Sequence, residues 1–229
     1  MIAILAPIAF IPMIVAVIYF RNTEKFEKEK WFSIIIVFLW GALIATGLSI
    51  VIENTISDYV RNIVILSVIV APFVEEITKP IVLRFVKKEI NEIEDGLIFG
   101  AVAGFGFAAT ENLIYGLRYW DEGLLVLISL FYIRTIGTSM LHASATAITG
   151  YGYSFNKLNK KSIVKMIPYL LFAVLLHGLF NVFAMSAQTI NQIISVVIAV
   201  LLALSLVVLI RKKIILLDTT KPIKQAIKD

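Results

Sequence analysis

Residues 190–210 read INQIISVVIAVLLALSLVVLI, and Arg211-Lys212-Lys213 follows at once. From Ile193 to Ile210 the run carries no charge and only two serines. A helix needs about 20 mostly apolar residues to cross a bilayer, at about 1.5 Å of rise each. This stretch meets that requirement and decides the solvent of the whole chain. Working outward, the same criterion predicts six further spans at roughly 2–20, 31–52, 62–86, 97–117, 124–150 and 166–186. The chain is 59% hydrophobic and 16% charged, with a mean hydropathy of +0.91. A soluble domain is typically about 45–50% apolar and about 25% charged, so this composition belongs in lipid. The expected fold is an all-α polytopic membrane helix bundle of about seven spans, forming a single domain over residues 1–229. The first segment lacks a basic leader and a small-residue cleavage site, so it reads as a true span, with Pro7 and Pro12 inside it. Disorder and a disulfide scaffold are excluded, and with no cysteine there is no thiol nucleophile or thiolate metal site.

The connecting segments alternate in charge. Loop 21–30 holds Arg21, Lys25, Lys28 and Lys30, whereas loop 53–61 holds only Arg61. The stretch 84–96 holds Arg84, Lys87 and Lys88, whereas loop 118–123 holds only Arg118. Loop 154–165 holds Lys157, Lys160, Lys161 and Lys165, whereas loop 187–190 holds no basic residue. The tail holds Arg211, Lys212, Lys213, Lys221, Lys224 and Lys228. Basic loops stay cytoplasmic, which predicts an outer N-terminus and a cytoplasmic C-terminus. The net charge of +5 and pI of 9.3 are therefore a topology signal and a contact with anionic lipid, not a nucleic-acid interface. The expected location is the cytoplasmic membrane.

A charge at the centre of a span costs at least about 2.5–3.5 kcal/mol, so such residues face the bundle interior and mark function. Here they are Glu75, Glu76, Lys79, Glu111 and Arg134, with His142, His177, Asn112 and Asn181 as polar companions. In Glu75-Glu76-Ile77-Thr78-Lys79-Pro80 the two glutamates point about 100° apart. Glu75 and Lys79 are spaced i,i+4 and can pair, which would leave Glu76 free to titrate. Pro80 cannot donate to the carbonyl of Glu76, so a bend is expected there. In the fourth span Gly96, Gly100, Gly104 and Ala108 form a small-residue ridge that admits a neighbouring helix closely. Phe107, Glu111 and Tyr115 occupy the adjacent ridge. In the fifth span Arg134, Thr138, His142 and Thr146 form a polar stripe, and a structural bridge from Arg134 to Glu111 is expected. His177 and Asn181 share a face of the sixth. Glu76, His142 and His177 each lie about 8–11 residues from the cytoplasmic end of their spans, about 12–16 Å deep. Three titratable groups from three helices are thus expected to converge near the midplane.

The residue types narrow the chemistry. There is no His-Glu-x-x-His, and the five aspartates fall in loops or the tail, so neither a zincin-type site nor an intramembrane aspartyl dyad is expected. Ser139 lies off the polar stripe and makes a weak serine nucleophile. What remains is a glutamate/histidine site in which Glu76 or Glu75 takes a proton from water. Asn181 with His177 would donate to an oxyanion. A Glu76/His142/His177 set would equally suit a zinc ion with an open water position, so the cofactor is zinc or none.

Glu75-Glu76-x-x-Lys79, Gly104-Phe105-Gly106-Phe107-Ala108-Ala109-Thr110-Glu111-Asn112, His142 with Thr146, and His177-Gly178-x-x-Asn181 together resemble the PrsW family of membrane proteases. The resemblance covers about residues 60–185. It implies a polytopic protease that clips a single-pass anti-sigma factor on its extracytoplasmic side, as the first cut of a cascade. It also implies kinship with the CAAX prenyl endopeptidases, whose Phe-x-x-x-His motif is here Phe107-x-x-x-Glu111. That substitution makes Glu111 a site candidate as well as a structural one. A non-catalytic relative of the gamma-secretase scaffold subunit, or a proton-coupled transporter, is the competing expectation. Oligomeric state is not legible in the sequence.

Overall fold

The computed structural model describes residues 1–185 and 192–220, and all the regular structure among them is helical. Seven helical segments follow one another: α1 (Ile2–Arg21), α2 (Trp31–Ser57), α3 (63–84), α4 (Ile93–Arg118), α5 (Leu124–Leu158), α6 (Ile163–Met185) and α7 (Gln192–Thr219). All but α3 are long and apolar enough to cross a membrane. The α3 segment occupies the expected third span, but Glu75, Glu76, Lys79 and Arg84 make it too polar to qualify by composition. The connection 187–190 lies outside the described residues, as do Lys221, Lys224 and Lys228.

Several helix ends differ from their expected places, for local reasons. The α4 helix starts at Ile93 because Glu92 and Asp95 form a reciprocal capping box. Asp95 Oδ2 accepts from the amides of Asn91 at 2.6 Å and Glu92 at 2.9 Å. Lys157 lies on α5 rather than in the following loop, and its ammonium donates to the Ile90 carbonyl. Arg211, Lys212, Lys213 and Asp218 lie on α7, not in a tail. Asp95 and Asp218 are therefore helical, contrary to the expectation that every aspartate sits in a loop or the tail.

The bundle is polar inside and apolar outside. Ile4, Ile8, Ile11 and Val15 of α1 and Ile193, Val197, Leu201 and Val208 of α7 are exposed, while Glu76, Lys79, Thr146 and Ser139 are fully enclosed. In water that distribution would be untenable; in hydrocarbon it places apolar groups against lipid and polar groups against one another. The α4 helix runs through the centre, wrapped by α1, α2 and the second half of α5. The glycine ridge explains its close approach to α5: the carbonyls of Gly150, Thr146 and His142 lie where side chains on Gly96, Gly100 and Gly104 would project.

Three spans contain a wide π turn, at Trp40–Ala45, Leu66–Val70 and Arg134–Thr138. Such turns shift the register of the residues that follow, and they cluster at functional sites. The latter two precede Glu75 on α3 and His142 on α5. At Lys79 the α3 helix tightens to a 3₁₀ form that runs to Arg84, in keeping with the bend expected at Pro80.

Candidate active site: a buried glutamate and histidine chamber

The polar residues of α3, α4, α5 and α6 meet at one place. Lys79 is its centre and is wholly buried. Its Nζ donates to Glu76 Oε1 at 2.8 Å and Glu75 Oε2 at 3.0 Å, and lies 2.9 Å from His142 Nδ1. The ring of Phe107 covers it at 4.2 Å, a cation–π contact in a dry setting. The expected Glu75–Lys79 pair is present. The expected freedom of Glu76 is not, because a lysine stem three residues along reaches Glu76 as easily as one four residues along reaches Glu75. Glu76 is also held by Thr146 Oγ1 at 3.0 Å and His177 Nδ1 at 3.0 Å, and has no exposure. Glu75 is the glutamate that faces open space.

The two imidazoles lie edge to face with centroids 4.8 Å apart. An ammonium can only donate, so His142 Nδ1 accepts from Lys79. That puts the ring proton on Nε2, which donates to Glu111 Oε2 at 2.7 Å. In the same way His177 Nδ1–H donates to Glu76 and leaves Nε2 as a lone pair. Glu75 Oε2 lies 3.6 Å from His142 Nδ1, whose lone pair the Lys79 ammonium occupies, and 4.0 Å from His177 Nε2, whose lone pair is turned the same way. Gly178 brings α6 against the Val68 carbonyl of α3, which carries the adjacent His177 into reach.

A second polar knot supports the first. Arg134 Nη2 lies 3.0 Å from Glu111 Oε2 as an ion contact, while the directional hydrogen bond of Arg134 runs from Nε to Asn112 Oδ1 at 2.8 Å. The guanidinium also stacks on Tyr115 at 3.8 Å. Asn112 Nδ2 passes the chain on to Ser139 Oγ at 3.1 Å. The expected Arg134–Glu111 bridge is thus present, and Ser139 is engaged by an amide, not a histidine. Asn181 Nδ2 donates to the Ser67 carbonyl at 2.8 Å and keeps a second N–H.

A cavity of about 570 Å³ opens on this cluster, lined among others by Glu75, Glu111, His142, His177 and Asn181. Glu53 of α2 lines it too, with a buried Oε1 that no hydrogen bond reaches. Sequence reading left Glu53 in a loop. Its signal was the stripe Thr46, Ser49, Glu53, polar at i, i+3 and i+7 on an otherwise apolar helix. Ser49 joins that stripe to the site helix through Thr78, Oγ to Oγ1 at 2.9 Å.

Oxygen and nitrogen atoms of Glu75, His142 and His177 lie within 4.8 Å of one another, a set able to hold a metal ion. Two features fit that use. Each imidazole is backed at its far nitrogen by a carboxylate, Glu111 or Glu76, the arrangement that orients metal-binding histidines. In addition, among the described residues the three carboxylates of Glu75, Glu76 and Glu111 meet two permanent cations, Lys79 and Arg134, so the knot has room for more positive charge. Glu76, expected as the carboxylate of this set, stands behind His177 instead.

The chain matches the family model described as "PrsW family intramembrane metalloprotease" over residues 29–210. It is 25% identical over 185 residues to a protein named "Protease PrsW" of Clostridioides difficile strain 630, covering 76% of each chain. It is 24% identical over 181 residues to the Shouchella clausii protein of that name, and 26% identical over 178 residues to that of Halalkalibacterium halodurans, covering 76% of this chain and 80% of each relative. No solved structure matches. The matched region contains every residue of the chamber, and the chain belongs to the PrsW family of intramembrane proteases.

Proposed function

We propose that the chain hydrolyses a peptide bond of a membrane-protein substrate in the chamber, with Glu75, His142 and His177 as the water-activating set. The observation that carries this reading is the convergence of Glu75 Oε2, His142 Nδ1 and His177 Nε2 at the wall of a cavity. Glu75 takes the proton from water and returns it to the leaving amine. Glu76 and Glu111 hold the two imidazoles in the tautomer that turns their lone pairs inward. The second N–H of Asn181 donates to the developing oxyanion. Lys79 holds the two glutamates side by side by donating to both. Glu75, His177 and, once Lys79 releases its Nδ1, His142 would hold a zinc ion, which would supply the water activation in place of Glu75 as base and polarise the scissile carbonyl.

The substrate is a single-pass protein of the anti-sigma type, cut near the outer face. The cavity walls support this side: Tyr115 and Tyr119 at the end of α4, and Ala184 and Met185 at the end of α6, border the loops poor in lysine and arginine. The location is the cell membrane.

Co-expression with a tagged single-pass substrate tests the reading. Glu75→Gln, His142→Ala and His177→Ala should each abolish the cleaved fragment. Glu76→Gln should slow its appearance by about 10–100-fold, as expected for loss of a group that orients a ligand. Cleavage at the wild-type rate by Glu75→Gln or His177→Ala would sink the proposal. Metal analysis of purified protein addresses zinc separately: about one ion per chain, lost in His177→Ala, is expected. Full activity in chelator-stripped, zinc-free protein would leave the glutamate mechanism without metal.

A further inference from the structure

A second group of acids lies at the opposite end of α4 from Glu111. Carboxylate oxygens of Glu24, Glu29 and Asp95 lie within 4.8 Å of one another, and all three residues are buried. Glu24 also belongs to an adjoining trio with Glu94 and Asp218, likewise within 4.8 Å and buried. These five residues come from three places far apart in the chain: the loop between α1 and α2, the first turn of α4, and the last turns of α7.

Crowded acids alone do not make a site. Glu29 supplies the second observation. Its side chain is 94% buried, from a relative exposure of 6%, and neither of its carboxylate oxygens has a hydrogen-bond partner among the described residues. They are turned toward Glu24 and Asp95. No lysine or arginine among the described residues pairs with Glu29 or Asp95. The basic groups nearby are engaged elsewhere: Lys30 pairs with Glu89 at 2.9 Å, Lys157 donates to the Ile90 carbonyl, and the Arg21 guanidinium stacks on Trp31 at 4.3 Å. Arg21 Nε also donates to the Glu29 backbone carbonyl at 2.7 Å, which fixes the backbone but leaves the carboxylate alone. Asp95 uses only Oδ2 in its helix cap. Burial and the Glu24 carboxylate push the Glu29 carboxyl well above the usual carboxylate range.

We propose that Glu24, Glu29 and Asp95 bind a hard divalent cation of the calcium and magnesium class, which pins the α1–α2 loop to the start of α4. Three oxygens within 4.8 Å of one another share a centre at most about 2.8 Å from each, so a shift of a few tenths of an ångström brings all three to the calcium–oxygen range of about 2.3–2.6 Å. The donors are carboxylates only, with no histidine or cysteine, which favours calcium or magnesium over zinc. A cleft of about 120 Å³, lined by Glu27, Glu29, Glu89 and Asp95 together with Lys28, which donates to Asn22, and Lys30, which pairs with Glu89, gives the ion a way in and room for water ligands. This site is separate from the chamber and does not depend on the proteolytic reading.

Thermal unfolding of the purified full-length chain in detergent, stripped with chelator and then given CaCl2, MgCl2 or ZnCl2, tests the proposal. Calcium or magnesium should raise the midpoint by ~5 °C at saturation. Calorimetric titration should give one ion per chain. Glu29→Gln should abolish both effects, and Glu75→Gln should leave both intact. Asp95→Asn also disturbs a helix cap, so Glu29→Gln is the decisive variant, since it keeps the shape of the side chain and removes its charge. No shift and no binding at about 10 mM calcium or magnesium, well above the weakest calcium modules, would overturn the site. So would an unchanged response in Glu29→Gln, or a response to zinc alone.

Discussion

Lys79 shows how a membrane protein keeps an ionised cluster. Its ammonium touches two carboxylates and an imidazole and is wholly buried. Removing one partner of a buried ion pair costs about 3–5 kcal/mol, because the remaining charges have nowhere to go. Lys79→Met should therefore destabilise the folded chain by about that amount in a denaturant titration in mixed micelles. Glu76→Gln added to Lys79→Met should cost less than the two changes summed, since the pair it breaks is already gone. Additivity would mean that Lys79 and Glu76 do not interact. At the same scale, Arg134→Ala leaves Glu111 and Asn112 without their shared cation, and Glu111 is the residue that orients His142. Cleavage of a tagged substrate should fall by about 10–100-fold in that variant, and Arg134→Lys should recover only part of it, because Lys cannot serve Asn112 and Glu111 in one planar fork.

At the scale of elements, the decisive contact is α4 against α5. The glycine ridge brings the two backbones together, and the carbonyl of His142 itself sits over Gly104. A side chain there must push away the segment that carries His142. Gly104→Leu should cost at least about 1–3 kcal/mol, the range for overpacking, and abolish cleavage with it. Gly47 is the control: nothing lies where its side chain would project, so Gly47→Leu should fold and cleave normally. Equal damage from both would show that the ridge is incidental. The ridge and the polar stripe of α5 were legible as period-four patterns. The π turns that set their register were not, because a π turn needs no particular residue and arises from the packing around it.

At the scale of the molecule, the count of spans and their direction rest on α3, the segment too polar to qualify by composition. The chain has no native cysteine, so single cysteines report topology directly. Cysteines replacing Lys28 and Lys160 should react with an impermeant thiol reagent only in inside-out vesicles. Those replacing Asp58 and Asp121 should react only from outside. If positions 28 and 58 react as expected but 121 reacts only from inside and 160 only from outside, α3 does not cross the membrane. The amino-acid sequence by itself determined the solvent, the helical class and most members of the polar cluster, Glu53 excepted, because a charge in lipid is costly wherever the helix lies. It also marked the pairs one turn apart, Glu75 with Lys79, whose spacing is a property of one helix. Only the tertiary structure decided that Glu76 braces His177 while Glu75 faces the cavity, that Glu53 joins them, and that Glu29 lies against Glu24 and Asp95. Those relations depend on the rotation and register of different helices, and many side chains set these jointly through packing.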